Sequence, residues 1–153
     1  MPLAYVGLGA NLGRREETLR RAVELLGEVA GVEVVAVSEL RETNPVGVLD
    51  QPRFLNGVAA VQTTRSAREL LDTLLCIERE LGRVRGDERW GPRTVDLDLL
   101  VYGDACLDEP GLHVPHPRLH ERRFALEPLA ALDPALEIPG IGSVSELLST
   151  VDD

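Results

Sequence analysis

Apolar positions change their period several times along the chain, and each change predicts a different element. Residues 3 to 8 are mostly apolar and run into Gly9, which predicts a buried strand. Leu19, Ala22, Val23, Leu26 and Ala30 then recur at helical spacing among arginines and glutamates, with Gly31 where a C-terminal cap is expected. Residues 32 to 41 and 54 to 63 are valine-rich and alternate as strands do, and the two prolines and one glycine between them predict a long loop. Ser66 to Glu69 reads as a capping box, followed by the stripe Leu70, Leu74, Ile77 and Leu81 ending at Gly82, a second helix. A strand over 94 to 102, short helices near 118 to 132, and another at 144 to 150 behind the Ser143 to Glu146 box complete the chain.

The order strand, helix, strand, strand, helix, strand predicts an α+β fold with a ferredoxin-like βαββαβ core. In that fold an antiparallel sheet carries helices on one face, here with a C-terminal extension of short helices, and the other face is left free for a site. A doubly wound fold needs a helix between successive parallel strands, whereas strands two and three are joined by a loop alone. The 153 residues fit a single domain, 1 to 153.

Charge and composition narrow the chemistry. A formal net charge of -10 disfavours a nucleic-acid partner, because a duplex binder needs a basic face to displace counterions. All 16 cationic side chains are arginines, which excludes a P-loop lysine and a Schiff-base lysine. Cys76 and Cys106 stand 30 positions apart without a C-x-x-C pair, the pattern of reduced thiols. Neither a basic leader nor an apolar span of 18 residues is present, so a cytoplasmic protein without a membrane partner is expected.

The early glycines suggest a phosphate cradle at first sight. Gly7, Gly9 and Gly13 read G-x-G-x-x-x-G, however, and the dinucleotide fingerprint needs its third glycine where Leu12 stands. The run "LGRVRGDERWGPRTVDLDLL" at 81 to 100 is more informative. Asp96 and Asp98 share one face of a strand about 6.6 Å apart, opposite Val95, Leu97, Leu99 and Val101, a spacing suited to magnesium held between carboxylates and phosphates. Arg83, Arg85, Arg89 and Arg93 precede them, a local charge of +2 against Asp87 and Glu88, on a loop whose glycines and proline allow movement over a polyphosphate. Trp90, the one tryptophan, lies in the same loop. Phe54, Phe124 and Asn56 offer two rings and an amide that could hold a flat heterocycle, although core filling is the simpler reading of the rings. All three histidines fall in "HVPHPRLHERR", where phosphate or nucleotide contacts are preferred over zinc for want of a cysteine or acid at ligand spacing. Two other classes fit the same residues: a non-catalytic small-ligand-binding domain, and a nucleotidyltransferase built on the same D-x-D.

The segment "RWGPRTVDLDLL" at 89 to 100 resembles the signature of the 6-hydroxymethyl-7,8-dihydropterin pyrophosphokinase family. "YVGLGANLG" at 5 to 13, "TNPVGVLDQPRFLN" at 43 to 56, "GRVR" at 82 to 85 and "VPHPRLHERRF" at 114 to 124 follow in that family's order. The resemblance implies transfer of pyrophosphate from ATP to the pterin hydroxymethyl group with release of AMP, in folate biosynthesis, by a monomer. It implies two magnesium ions on Asp96 and Asp98, with Arg83 and Arg93 acting on the phosphates. Thr43, Val46, Phe54, Asn56 and Phe124 would hold the pterin, and the glycines at 7 to 13 would form a wall beside it. Glu78, Arg83, Arg85, Trp90, Arg93, Leu99, His113, His116 and Arg122 would line the ATP site, Leu99 through its backbone. The chain departs from the family pattern at Asn44, Phe54 and Pro117, and carries Leu75 and Gly111 where polar ATP contacts occur.

Overall fold

The computed structural model describes residues 2–10, 15–43, 54–85 and 95–151, with the side chains of Arg15, Thr43 and 83–85 outside that description. The first half runs β1 (Leu3–Ala10), α1 (Arg15–Gly27), β2 (Val32–Val37), β3 (Arg41–Thr43), β4 (Phe54–Thr63), α2 (Ala67–Arg85) and β5 (Asp96–Tyr102). These strands form one antiparallel sheet in the order β2-β4-β1-β5, with β3 also on β4. Mixed helices and an antiparallel sheet are as the periodicity predicted.

The valine-rich run at 32 to 41 is two strands rather than one. At the break, Ser38 N–H donates to the Val58 carbonyl at 2.8 Å, and the Ser38 hydroxyl accepts from Val58 N–H at 2.9 Å. A side-chain oxygen there substitutes for a ladder carbonyl, so the backbone can leave the ladder and rejoin it at Arg41 without stranding a buried donor. Gly31 does not cap α1, which stops at Gly27; its φ of +83° serves the turn into β2 instead. Helix α2 runs past Gly82 to Arg85, which puts Arg83 and Arg85 on its last turn rather than in a loop.

Strand alternation sends two sets of side chains to opposite faces. Val6 and Leu8 of β1, Val61 of β4 and Leu97 of β5 pack against Leu19 and Leu26 of α1 and against Leu70 and Leu74 of α2. Each such fully buried side chain contributes roughly 1.5–3 kcal/mol relative to exposure. The opposite face, expected to be free, is partly covered. Past the hairpin β6 (Leu107–Glu109) and β7 (Leu112–Val114), a 3-10 turn (Leu119–Glu121) leads into α3 (Arg123–Leu132), then the small hairpin β8 (Glu137–Ile138) and β9 (Gly142–Ser143), and finally α4 (Val144–Thr150). Leu119, Leu126, Leu129, Ile138 and Val144 from this extension close over Tyr5, Val58 and Leu100.

The extension is also pinned by a polar contact. The Tyr5 hydroxyl donates to Asp133 at 3.4 Å, and burial first, then the Asp133 charge, pushes its pKa up. Cys76 and Cys106 are free surface thiols. Among the described residues no helix is long and apolar enough to cross a membrane.

Candidate active site

Among the described residues the covering helices leave one end of the sheet face open, and the register of three strands decides which residues meet there. Asn56 of β4 stands opposite Gly9 of β1, and Gly9 opposite Asp96 of β5; Val58, Gly7 and Asp98 make the next row. Two strand spacings separate the amide from the first carboxylate, about 10 Å between Cα atoms. Nothing projects between them from β1. A Cβ at Gly9 would come within 3.1 Å of Asn56 Oδ1, and one at Gly7 within 3.3 Å of Leu100 Cδ1. Gly7 and Gly9 therefore floor a trough, while Gly13 lies outside the described residues.

Asp96 and Asp98 share that face, half-buried, while Leu97 and Leu99 turn into the helix core. Val101 does not join Leu97 and Leu99 as the alternation predicted. The register shifts so that Tyr5 opposes Val101 but Val6 opposes Leu99; Leu100 is the extra residue of a bulge, and both Leu100 and Val101 pack under the extension.

Around the carboxylates the extension gathers cations and imidazoles. Arg122 Nη1 lies 3.8 Å from Asp98 Oδ2, and its guanidinium sits 5.6 Å from the centre of the Phe124 ring. His116 is fixed through its backbone N–H, which donates to the Leu100 carbonyl at 2.9 Å. Burial foremost, then the Arg122 charge, holds the His116 pKa below its ordinary value, with Asp98 pulling the other way; Arg118 and His113 add to the lowering. His113 pairs across its hairpin with Asp108, Nδ1 to Oδ1, at 2.7 Å. Glu78 of α2 accepts from Leu97 N–H at 2.7 Å, so this acid ties the helix to the outer edge of β5.

The other end of the trough carries a buried amide and an aromatic ring. Asn56, only 8% exposed, borders a cleft with Ser38, Phe124, Glu127 and Pro128. Phe54 lies two residues earlier on the same face of β4, half-buried, and opposes Thr43 on β3. Phe124 lines the cleft beside Asn56 and also packs against the apolar cluster under the extension, so core filling accounts for part of its surface. Arg41 and Arg123 both reach Glu127 at the rim, at 3.5 and 3.7 Å.

Val46, Trp90 and Arg93 lie outside the described residues, as do the side chains of Thr43, Arg83 and Arg85. Leu75 is an exposed apolar side chain on α2. Sequence reasoning missed Ser38 and Asp108. Ser38 is the polar interruption of a valine run, and Asp108 stands five residues before His113 across "EPG", the spacing of a cross-strand pair, so both signals are present in the chain.

Two carboxylates on one half-open strand face, with a side-chain-free strand beside them, fit a hard divalent cation that takes most of its oxygens from phosphate and water. Among the described residues no group of three or more His, Cys, Asp or Glu converges as a closed metal cage.

The chain is similar to known proteins over nearly its whole length. The family model of 7,8-dihydro-6-hydroxymethylpterin-pyrophosphokinase (HPPK) matches residues 5–134. A 2-amino-4-hydroxy-6-hydroxymethyldihydropteridine pyrophosphokinase of Pseudomonas aeruginosa is 48% identical over 145 residues, 95% of this chain and 89% of that protein. One of Bacillus subtilis is 48% identical over 130 residues, 85% of this chain and 77% of that protein. A crystal structure of an HPPK-DHPS in complex with substrates superposes with a TM-score of 0.79 at 11% identity, over 97% of this chain and 43% of that one. That likeness shows the fold, and the chain spans less than half of that larger protein. With the family match covering most of its length and relatives near half identical, the chain belongs to the 7,8-dihydro-6-hydroxymethylpterin-pyrophosphokinase family.

Proposed function

We propose that the chain, as a single pyrophosphokinase domain with a ferredoxin-like core, transfers the pyrophosphoryl unit of ATP to the hydroxymethyl group of 6-hydroxymethyl-7,8-dihydropterin. One observation carries this reading: the Asp96/Asp98 pair and the Asn56/Phe124 cleft lie on one sheet face, two strands apart, across a floor of glycine. In the reaction the hydroxymethyl oxygen forms a bond to the β-phosphorus, the bond from that phosphorus to the oxygen bridging to the α-phosphate breaks, and AMP leaves with the electron pair. The hydroxyl proton passes to solvent or phosphate, and no strong base is needed, since such transfer is chiefly positioning and charge neutralisation.

Asp96 and Asp98 would hold magnesium, two ions by the family resemblance, which supplies Lewis-acid charge on the phosphate oxygens. Arg122 is placed to act on the same charge, because it already faces Asp98. Asn56 would read the pterin edge with its amide, and Phe124 would cover one ring face. Arg83 and Arg93, on either side of the arginine-rich segment, would neutralise the phosphates. His116, held with a lowered pKa, presents a neutral ring near pH 7; its Nδ1 accepts from Arg118 N–H at 3.2 Å, so Nε2 carries the proton and would donate at the nucleotide.

Chromatography of the products after incubation with magnesium, ATP and the hydroxymethyl pterin tests this. AMP and a pterin diphosphate are expected in equal amounts. Formation of ADP, or release of free pyrophosphate as a nucleotidyltransferase would give, contradicts it.

A further inference from the structure

We infer that Asp108 is a positioning residue for nucleotide binding, acting through His113; this rests on the reading of His113 as part of the ATP site. The two residues stand directly opposite each other in the β6–β7 hairpin, and their side chains meet on its outer face while Leu112 and Val114, either side of His113, are buried. Nδ1 of His113 lies 2.7 Å from Asp108 Oδ1. A carboxylate accepts only, so Nδ1 carries the proton, and in the neutral ring Nε2 is left with its lone pair exposed. Among the described residues Nε2 has no hydrogen-bond partner.

One further observation sets this ring near the candidate site, and a second fixes the hairpin that carries it. His113 bears electrostatically on His116, the imidazole that also feels Asp98 and Arg122. The hairpin itself is braced from α2, because Arg68 donates to the Pro110 carbonyl at 3.0 Å and pairs with Glu109 at 3.2 Å. The position is therefore held by α2, the ring orientation by Asp108. What such an Nε2 recognises is a donor: a ribose hydroxyl or the exocyclic amine of the base.

Asp108 is 91% exposed in its side chain, so replacing it leaves the core intact. Asp108→Ala should raise KM for ATP about fivefold, the worth of roughly one hydrogen bond, with kcat and the KM for pterin little changed. Asp108→Asn, which keeps an acceptor oxygen, should recover part of the loss. Nitrogen-15 spectra of the His113 ring should show the Nδ1–H tautomer in the wild type and a mixture in Asp108→Ala, a change that mere loosening of the hairpin would not produce. Deoxy-ATP analogues and inosine triphosphate separate the two donors: the one whose loss costs less in Asp108→Ala than in the wild type is the partner. Unchanged ATP binding by calorimetry, or an unchanged tautomer, overturns the assignment. A wild type that makes no AMP yet binds ATP more tightly than Asp108→Ala retains the positioning role and overturns the reaction instead.

Discussion

At the residue scale, the site divides its work between charge and shape. Asp98 faces Arg122, and its side chain is 43% exposed, so the isosteric amide can replace it without disturbing the core. Asp98→Asn is expected to lower kcat by at least about 10²-fold, since metal-held charge stabilisation is worth several kcal/mol, while thermal denaturation moves little. His116 gives a separate signature. Its folded pKa lies below the ordinary histidine value because burial and Arg122 disfavour the cation, so the unfolded chain takes up the proton first as pH falls. Stability contributed by the neutral ring is present above about pH 6.5 and is lost as pH falls toward the lower folded value. Denaturant titrations across that window should show a loss in the wild type that His116→Gln lacks. The histidine cluster was legible in the sequence as a group, but its orientation was not, because it comes from a backbone bond to Leu100 and an acid on a facing strand.

At the element scale, local signals were read well where chemistry is local. The Ser66 box forms as expected: Ser66 N–H donates to Glu69 Oε1 at 2.8 Å, and Glu69 N–H donates to Ser66 Oγ at 3.1 Å. Ser66→Ala should cost about 1 kcal/mol. The Ser66 backbone N–H and then its hydroxyl lower the Glu69 pKa, so this carboxylate stabilises the fold above the ordinary glutamate range and ceases to as pH falls through its depressed value. Melting curves of wild type and Glu69→Ala should accordingly differ at pH 7 and converge as pH falls through that depressed value. Other boundaries depend on partners distant in sequence. The break at Ser38 needs Val58, the bulge at Leu100 needs β1, and the hairpin in the proline-rich segment needs Arg68 of α2. Periodicity sees none of these, so it places Val101 on the face of Leu97 and Leu99 and runs 32 to 41 as one strand, where the structure has a bulge and a break.

At the scale of the molecule, topology converts a sequence far apart into one surface. The strand order β2-β4-β1-β5 sets β1 between the strand bearing Asn56 and the strand bearing Asp96 and Asp98. Glycines on that middle strand then matter for what they omit, a requirement invisible until the neighbours are known. The extension expected only as short helices does more than extend: it covers the apolar half of the face with Leu126 and Leu129, and it delivers Arg122 and Phe124 to the open half. One face thus carries Asp96 and Asp98 at one end and the Asn56/Phe124 cleft at the other, the relation that the proposed transfer between ATP and a pterin requires.

Relaxation of the pterin hydroxymethyl protons by Mn²⁺, in a complex with a non-hydrolysable ATP analogue, tests that arrangement most directly. Strong enhancement is expected, corresponding to a separation of roughly 10 Å or less, the span of two strand spacings. Asp98→Asn should abolish it. Enhancement no greater than that from free Mn²⁺, with both ligands bound, would contradict a common site on this face.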